Sequence, residues 1–374
     1  MAYPAKEKIR VMVVNDSFHT KTILGNLVLS NPKMELAAVA RDGIDALNKI
    51  SDVRPDVVVL DLEMPNMDGL TFIDRIMAST PLPIIVCSSY GSEADERGNE
   101  IVFESLDAGA VDFVPLSPRL LKADGDESRQ FLERIERAAN LALRKDAWNQ
   151  KLFGSHNGGK NPAIKAGTKP QLASDRSTKI LDKRNSTEKA VVIGASTGGP
   201  RVLTKIFSKL PADLPAVLLV VQHMPAGFTK SFARHLDLIS KVEVTEATDG
   251  QELSAGKAIV APGDYHMLVT NLRRVTLAKS EKRHGVRPSI NMTMIAASDV
   301  YSSGTVGVLL TGMGEDGAFG LSIIKRRGGK TMAQDESSSI VYGMAKAACS
   351  LKAVDEMVPA EEIAERIVKA VAEA

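Results

Sequence analysis

IRVMVVND, residues 9 to 16, runs from apolar residues into an amide and an acid, and its reading decides the fold. Val11 to Val14 follow one another without polar alternation, so the segment is expected to be buried on both faces, as a central parallel strand is. Working outward, a helical stretch near Thr20 to Ser30 leads to ELAAVA, then to a helix near Gly43 to Ser51 and to DVVVLDLEM. PIIVCSS and AVDFVP supply the fourth and fifth strands, with a helix between them near Glu96 to Ala108. Such alternation is the pattern of a doubly wound α/β domain.

A second run of this kind starts at Lys189: AVVIGAS, a helix near Val202 to Lys209, AVLLVVQHM, a helix near Thr229 to Ser240, and VEVTEA. KAIVAP and HMLVTNLRRVTLAKS read as shorter β pieces, the latter turning at Asn271 to Arg274. A helix near Ile290 to Ala297 precedes TVGVLLTGM, and Ile363, Ile367, Val368 and Val371 mark a last helix after Pro359. The chain is therefore expected to hold two doubly wound parallel-sheet domains, at 1–140 and 189–374, the second with a small antiparallel element.

Between them, Arg144 to Lys189 contains 11 Lys/Arg against 4 Asp/Glu and few large apolar residues. Residues 141–188 are read as a flexible basic linker, because so little apolar surface cannot repay the entropy of ordering. At 374 residues, two domains each have length enough for a core. A formal net charge of +1, from 47 basic and 46 acidic residues, gives no field that would recruit nucleic acid or an anionic membrane. The sequence has no apolar run long enough to span a bilayer and no signal core at its start, and Cys87 and Cys349 suit a reducing compartment. A cytoplasmic location is expected.

In a doubly wound sheet Asp16 and Asp61 lie at the carboxyl edge, where two acids can hold Mg²⁺, and Ser88 could donate its hydroxyl to a phosphoryl oxygen there. The alternative is that the two aspartates cap the following helices. VMVVNDS, VVVLDLEMPNMDGL, IIVCSS and GAVDFV resemble, in order and spacing, the motifs of response-regulator receiver domains. The resemblance implies a flavodoxin-like fold, Asp61 as phospho-acceptor, Asp16 and Asp61 as Mg²⁺ ligands, Ser88 as switch hydroxyl and Phe113 as switch aromatic. Two departures stand out: Asn15 precedes Asp16 where receivers carry a second acid, and VPLSP places Leu116 and Ser117 where they carry Lys-Pro. Leucine cannot pair with an acyl phosphate, so a blunted response to phosphorylation is expected. Lys122 lies nearby in sequence, with nothing to show that it substitutes.

GASTGGP, residues 194 to 200, admits three readings: phosphate cradle, nucleophile turn or simple bend. A P-loop would place Lys and Ser/Thr after its last glycine, and here Pro200-Arg201 follow. Gly194 to Gly198 spells G-x-S-x-G, so Ser196 is a candidate nucleophile, which needs a base. Of six histidines, His223 alone closely follows a buried-type strand, at the same sheet edge. His19, His156 and His284 lie in polar contexts, His235 lies in an amphipathic helix, and His266 belongs to the irregular β region. Asp316, after a third such strand, could orient the base, and Gly312-Met313-Gly314 could turn N–H groups toward an oxyanion.

GASTGGP, LPADLPAVLLVVQHMPAGFTKSFARHLD, APGDYHM, RPSI, LLTGMGEDGA and AQDESSSIVYGMAKAA resemble the catalytic domain of CheB-type chemotaxis protein-glutamate methylesterases, and receiver plus this domain is that family's architecture. The resemblance implies Ser196 as nucleophile, His223 as base, Asp316 as its orienter, and Thr197 with the Met313 backbone lining the site. It also implies chemoreceptor helices as substrate, glutamine deamidation as a second activity, no cofactor for ester hydrolysis, and a histidine kinase as phosphodonor. The family's PSVD run reads PSIN here, so Asn291 replaces an acid.

Overall fold

A computed structural model of the chain describes residues 8–89, 96–122, 125–142 and 189–374; the expected linker lies almost wholly outside them. The first unit runs β1 (Ile9–Val14), α1 (Phe18–Leu29), β2 (Met34–Ala40), α2 (Gly43–Val53), β3 (Val57–Leu60), α3 (Gly69–Ser79), β4 (Ile84–Ser88), α4 (Glu96–Ala108), β5 (Asp112–Pro115) and α5 (Asp126–Ala142). Its five strands lie in the order β2-β1-β3-β4-β5, all parallel. Val11 to Val14 and Val57 to Leu60 are buried throughout, as continuous apolar runs demand. The strand order reverses between β1 and β3, and Asp16 and Asp61 follow those two strands, as a ligand site at a switch point requires.

Neither acid caps a helix. Ser17 accepts from the backbone N–H of Thr20 at the start of α1, Asp42 from Asp45 at α2, and Asp68 from Thr71 at α3. With those ends satisfied by other side chains, the capping alternative for Asp16 and Asp61 falls away.

The second unit runs β6 (Ala190–Ala195), α6 (Gly199–Lys209), β7 (Val217–Gln222), α7 (Thr229–Ile239), β8 (Glu243–Glu246), β9 (Lys257–Val260), β10 (His266–Val269), β11 (Val275–Ala278), α8 (Ile290–Tyr301), β12 (Thr305–Leu309), α9 (Ala318–Arg326), β13 (Lys330–Gln334), α10 (Met344–Ser350), β14 (Glu356–Val358) and α11 (Ile363–Glu373). Seven parallel strands lie in the order β14-β13-β12-β6-β7-β9-β8, and β10 and β11 form the expected antiparallel hairpin. KAIVAP, read as a minor β piece, is β9 inside the main sheet. The chain winds outward from β6 in one direction and from β12 in the other, so the switch point falls between these two strands.

The two units share a hydrophobic core cluster. Phe103 of α4 packs on Phe232 of α7 with ring centroids 5.4 Å apart, and Phe113 of β5 meets Phe228 at 4.6 Å. Asn99 donates to Ser231 Oγ at 3.0 Å, and Thr197 Oγ1 donates to Asp112 Oδ2 at 3.3 Å. Burial of these rings supplies attraction that the polar contacts make directional.

Candidate active site

Ser196 leaves the buried strand β6 at the switch point. Its backbone N–H donates to the Thr311 carbonyl, and its own carbonyl accepts from the Gly199 N–H at 2.8 Å and from Gln222 Nε2 at 3.0 Å. The sharp bend belongs to Gly198, at φ 77°, and among the described residues Ser196 is not one of those with positive φ. GxSxG therefore marks a turn here without placing the serine in a strained conformation. Close approach matters on the other side: a Cβ at Gly312 would lie 2.7 Å from Ser196 Cβ and 2.3 Å from Met344 Cε. Only glycine lets the β12 edge run so near the serine.

His223 follows β7, and its backbone N–H donates to the Ala195 carbonyl, which fixes it beside Ser196. Its imidazole Nε2 lies 2.9 Å from Asp316 Oδ2, with the histidine side chain 9% and the aspartate side chain 2% exposed. No hydrogen bond joins Ser196 Oγ to His223 among the described residues.

Asp316 has an unusually full set of donors. Oδ2 also accepts from the Ile290 N–H at 2.7 Å, while Oδ1 accepts from Ser289 Oγ at 2.9 Å and the Asn291 N–H at 3.1 Å. Burial pushes this carboxyl up, but the His223 contact and the Ile290 and Asn291 amides outweigh it, leaving it below the ordinary value. The amides come from the first turn of α8, where unsatisfied N–H groups and the helix dipole favour an anion. The carboxylate takes the place of an N-cap, since Ser289, the residue in that position, makes no side-chain cap bond.

These donors were missed in the sequence, although RPSI was in view; an acid cannot signal that a distant helix start will hold it. Asn291, left without a role, donates its N–H to Asp316 Oδ1, and its own Oδ1 accepts from the Gly320 N–H at 2.6 Å. His266 is fully buried and structural: Nδ1 accepts from the Ser289 N–H at 3.1 Å, and Nε2 lies 3.0 Å from the Glu281 carbonyl. His235, read as a surface or half-buried residue of an amphipathic helix, is half-buried and stacked on Phe103 across the two units at 5.3 Å. The Gly312 N–H donates to the Val341 carbonyl, so this part of the expected oxyanion turn is already engaged. Met313 is 37% exposed at the mouth of the turn, and Thr197 is 9% exposed with its hydroxyl on Asp112.

In the first unit Asp61 is 9% exposed. Oδ2 accepts from Asn15 Nδ2 at 2.6 Å, and Oδ1 from the Leu62 N–H at 2.8 Å. Burial pushes the carboxyl above its ordinary value; the nearby Asp16 charge adds to this, against the pull of Ser88, Glu63 and Leu62. Ser88 Oγ is fully buried and near enough to influence Asp61, yet makes no hydrogen bond of good geometry. Lys21 Nζ donates to the Asn15 carbonyl at 2.6 Å and the Asp16 carbonyl at 3.0 Å. Leu116 packs its side chain against the apolar cluster of β1, β3 and α5, and Phe113 is turned inward against Phe228.

Residues 191–367 match the family described as CheB methylesterase, and residues 11–121 match the response regulator receiver domain. A protein-glutamate methylesterase/protein-glutamine glutaminase of Pyrococcus abyssi is 42% identical over 97% of this chain and 94% of its own length. One of the same name from Symbiobacterium thermophilum is 40% identical over the whole of both chains. The crystal structure of the Thermotoga maritima CheB methylesterase catalytic domain is 43% identical and covers 48% of this chain and 97% of its own, with a TM-score of 0.47. With both domains in order and identity sustained over nearly the full length, the chain belongs to the family of receiver-linked protein-glutamate methylesterases/protein-glutamine glutaminases.

Proposed function

We propose that this chain hydrolyses glutamate γ-methyl esters on chemoreceptor helices to glutamate and methanol, and deamidates glutamine at equivalent positions. The observation that carries the reading is the His223–Asp316 pair beside Ser196. Asp316 is held ionised and can only accept, so the proton of that hydrogen bond sits on Nε2 and Nδ1 is the basic nitrogen.

Nδ1 takes the Ser196 Oγ proton as oxygen bonds to the ester carbonyl carbon. The imidazolium then returns that proton to the departing methoxide, giving methanol and a glutamyl ester of Ser196. Water adds with the same base, and the serine leaves with its proton. No cofactor enters these steps. Asp316 stabilises the imidazolium and fixes its ring; Thr197 and the Met313 backbone line the reacting carbonyl.

The domains are taken as 1–140, 141–188 and 189–374, with the first as a phosphorylatable regulator and a chemotaxis histidine kinase as its phosphodonor. Asp61 is the acceptor; Asp16 and Asp61 would hold Mg²⁺, a fit supported by two mutually repelling carboxylates and the unsatisfied Ser88 hydroxyl. When bound, the ion neutralises phosphoryl oxygens. Phe113 and Ser88 would carry the switch, blunted by Leu116 and Asn15. Among the described residues no helix is long and apolar enough to cross a membrane, and a cytoplasmic location is part of this reading because a chemotaxis histidine kinase would be its phosphodonor. Ser196→Ala should abolish methanol release from methylated receptor membranes while the circular dichroism spectrum is kept. Undiminished release would exclude this nucleophile.

A further inference from the structure

Strand β7 ends on a polar residue after five buried apolar ones, and that residue, Gln222, is itself only 2% exposed. A buried amide is costly unless its hydrogen bonds are made, so its partners decide why glutamine stands there. The ladder between β6 and β7 closes on Ala195 and Gln222, with the His223 N–H donating to the Ala195 carbonyl. Past that point the two chains leave the sheet, one into Ser196 and the other into His223. Gln222 Nε2 donates to the Ser196 carbonyl at 3.0 Å and to the His223 carbonyl at 3.1 Å. One nitrogen thus uses both hydrogens on the backbones of the nucleophile and the base.

The amide can point only one way, because with its oxygen and nitrogen exchanged an acceptor would face two carbonyl oxygens. Oε1 lies instead against Gly199, where a Cβ would come within 2.1 Å of it, and it accepts no hydrogen bond among the described residues. The second glycine of the turn therefore makes room for the amide. An unsatisfied buried acceptor is a cost that an apolar side chain of similar length would avoid, and such local costs gather where function needs them. We propose that Gln222 is a positioning residue of the hydrolysis, a role that rests on the esterase reading above. Its amide ties the peptide groups of Ser196 and His223 together and so sets the distance over which the proton passes from Oγ to the imidazole. Asp316 fixes the ring from Nε2, and Gln222 fixes the backbone that carries the ring. Buried as it is, Gln222 acts on the chemical step and not on substrate binding.

The test uses the full chain with methylated receptor membranes. Gln222→Met fills the space without a donor; with the circular dichroism spectrum kept, kcat for methanol release should fall roughly 10²-fold while KM stays within about twofold. Gln222→Glu keeps the shape and gives the sharper readout. Its carboxyl, pushed up by burial and by the two carbonyls, donates one hydrogen when protonated and repels both carbonyls when ionised. The ratio of its kcat, per folded enzyme, to that of the unaltered chain should therefore rise severalfold as pH is lowered from about 8 to about 6. A glutamine that only supports the fold would leave that ratio flat. A flat ratio, or a Gln222→Met kcat within about threefold of the unaltered chain, would overturn the positioning role. No methanol from the unaltered chain would instead overturn the esterase reading, and the inference with it.

Discussion

Both sheets bring a buried aspartate to a strand end at a switch point, and they treat its charge in opposite ways. Asp316 is buried among donors: a helix start, a serine hydroxyl and an imidazole hold it ionised. Asp61 is buried beside another acid and has fewer donors, so its charge is disfavoured. The first arrangement suits a group whose charge must persist through a reaction. The second suits one that is to be modified, because masking its charge relieves a standing penalty.

Asp316→Asn tests the sharper half of this contrast. The amide keeps the shape but cannot accept on both atoms, so the ring loses its tautomer and its compensating charge. Methanol release should fall by about 10³ to 10⁴ in kcat, with KM little changed. A loss below tenfold would show that the four donors serve the fold alone.

Next in size is the contact that joins the halves. Phe113 packs on Phe228 while Asp112 receives the Thr197 hydroxyl, so the receiver reaches the residue next to the serine. Phe113→Ala removes an aromatic pair and should loosen the receiver, raising basal methanol release roughly tenfold, the equivalent of ~1.4 kcal/mol. An unchanged basal rate would mean that the receiver does not limit access to Ser196.

Leu116→Lys addresses the regulatory half. On the proposal that Asp61 is phosphorylated, a lysine at this place, able to swing out of the apolar cluster to the phosphoryl group, should enlarge the increase produced by a small-molecule phosphodonor with Mg²⁺ about threefold over that of the unaltered chain. If the unaltered chain already responds strongly and the variant adds nothing, Leu116 has not blunted the switch.

Much of the strand content and the candidate site residues were legible because buried parallel strands are written as unbroken apolar runs and residues at a sheet's carboxyl edge follow at once. Ser196, His223 and Asp316 were found in that way. The short strands Lys330–Gln334 and Glu356–Val358 were not, since KTMAQ has only Met332 and Ala333 as an apolar pair and EMV is three residues long, too little for an unbroken apolar run. Nor were the partners of Asp316, because Ser289 to Asn291 reach it across 25 to 27 residues of chain. His235 is half-buried, as its amphipathic helix suggests, but its neighbour Phe103 comes from the other unit, which the pattern of its own helix cannot report.

An effect on stability and not on rate concerns Asn15, and it separates the two aspartates by the sign of their pH response. Asp316, below its ordinary value, contributes stability above the unfolded value of 3.8 that is lost as pH falls through its folded value. Asp61, above that value, does the reverse: the folded receiver binds more protons than the unfolded chain, and stability is lost as pH rises through the folded pKa. Asn15→Asp replaces the donor 2.6 Å from Asp61 Oδ2 with a like charge. At neutral pH without Mg²⁺ this should cost the receiver about 1 kcal/mol, read as faster hydrogen exchange in β1 and β3. The loss should shrink when the pH is lowered toward 5 or when Mg²⁺ is added, since either neutralises the paired acids. Slower exchange at neutral pH in the metal-free variant would show that the amide, and not the added charge, is what strains the Asp61 site.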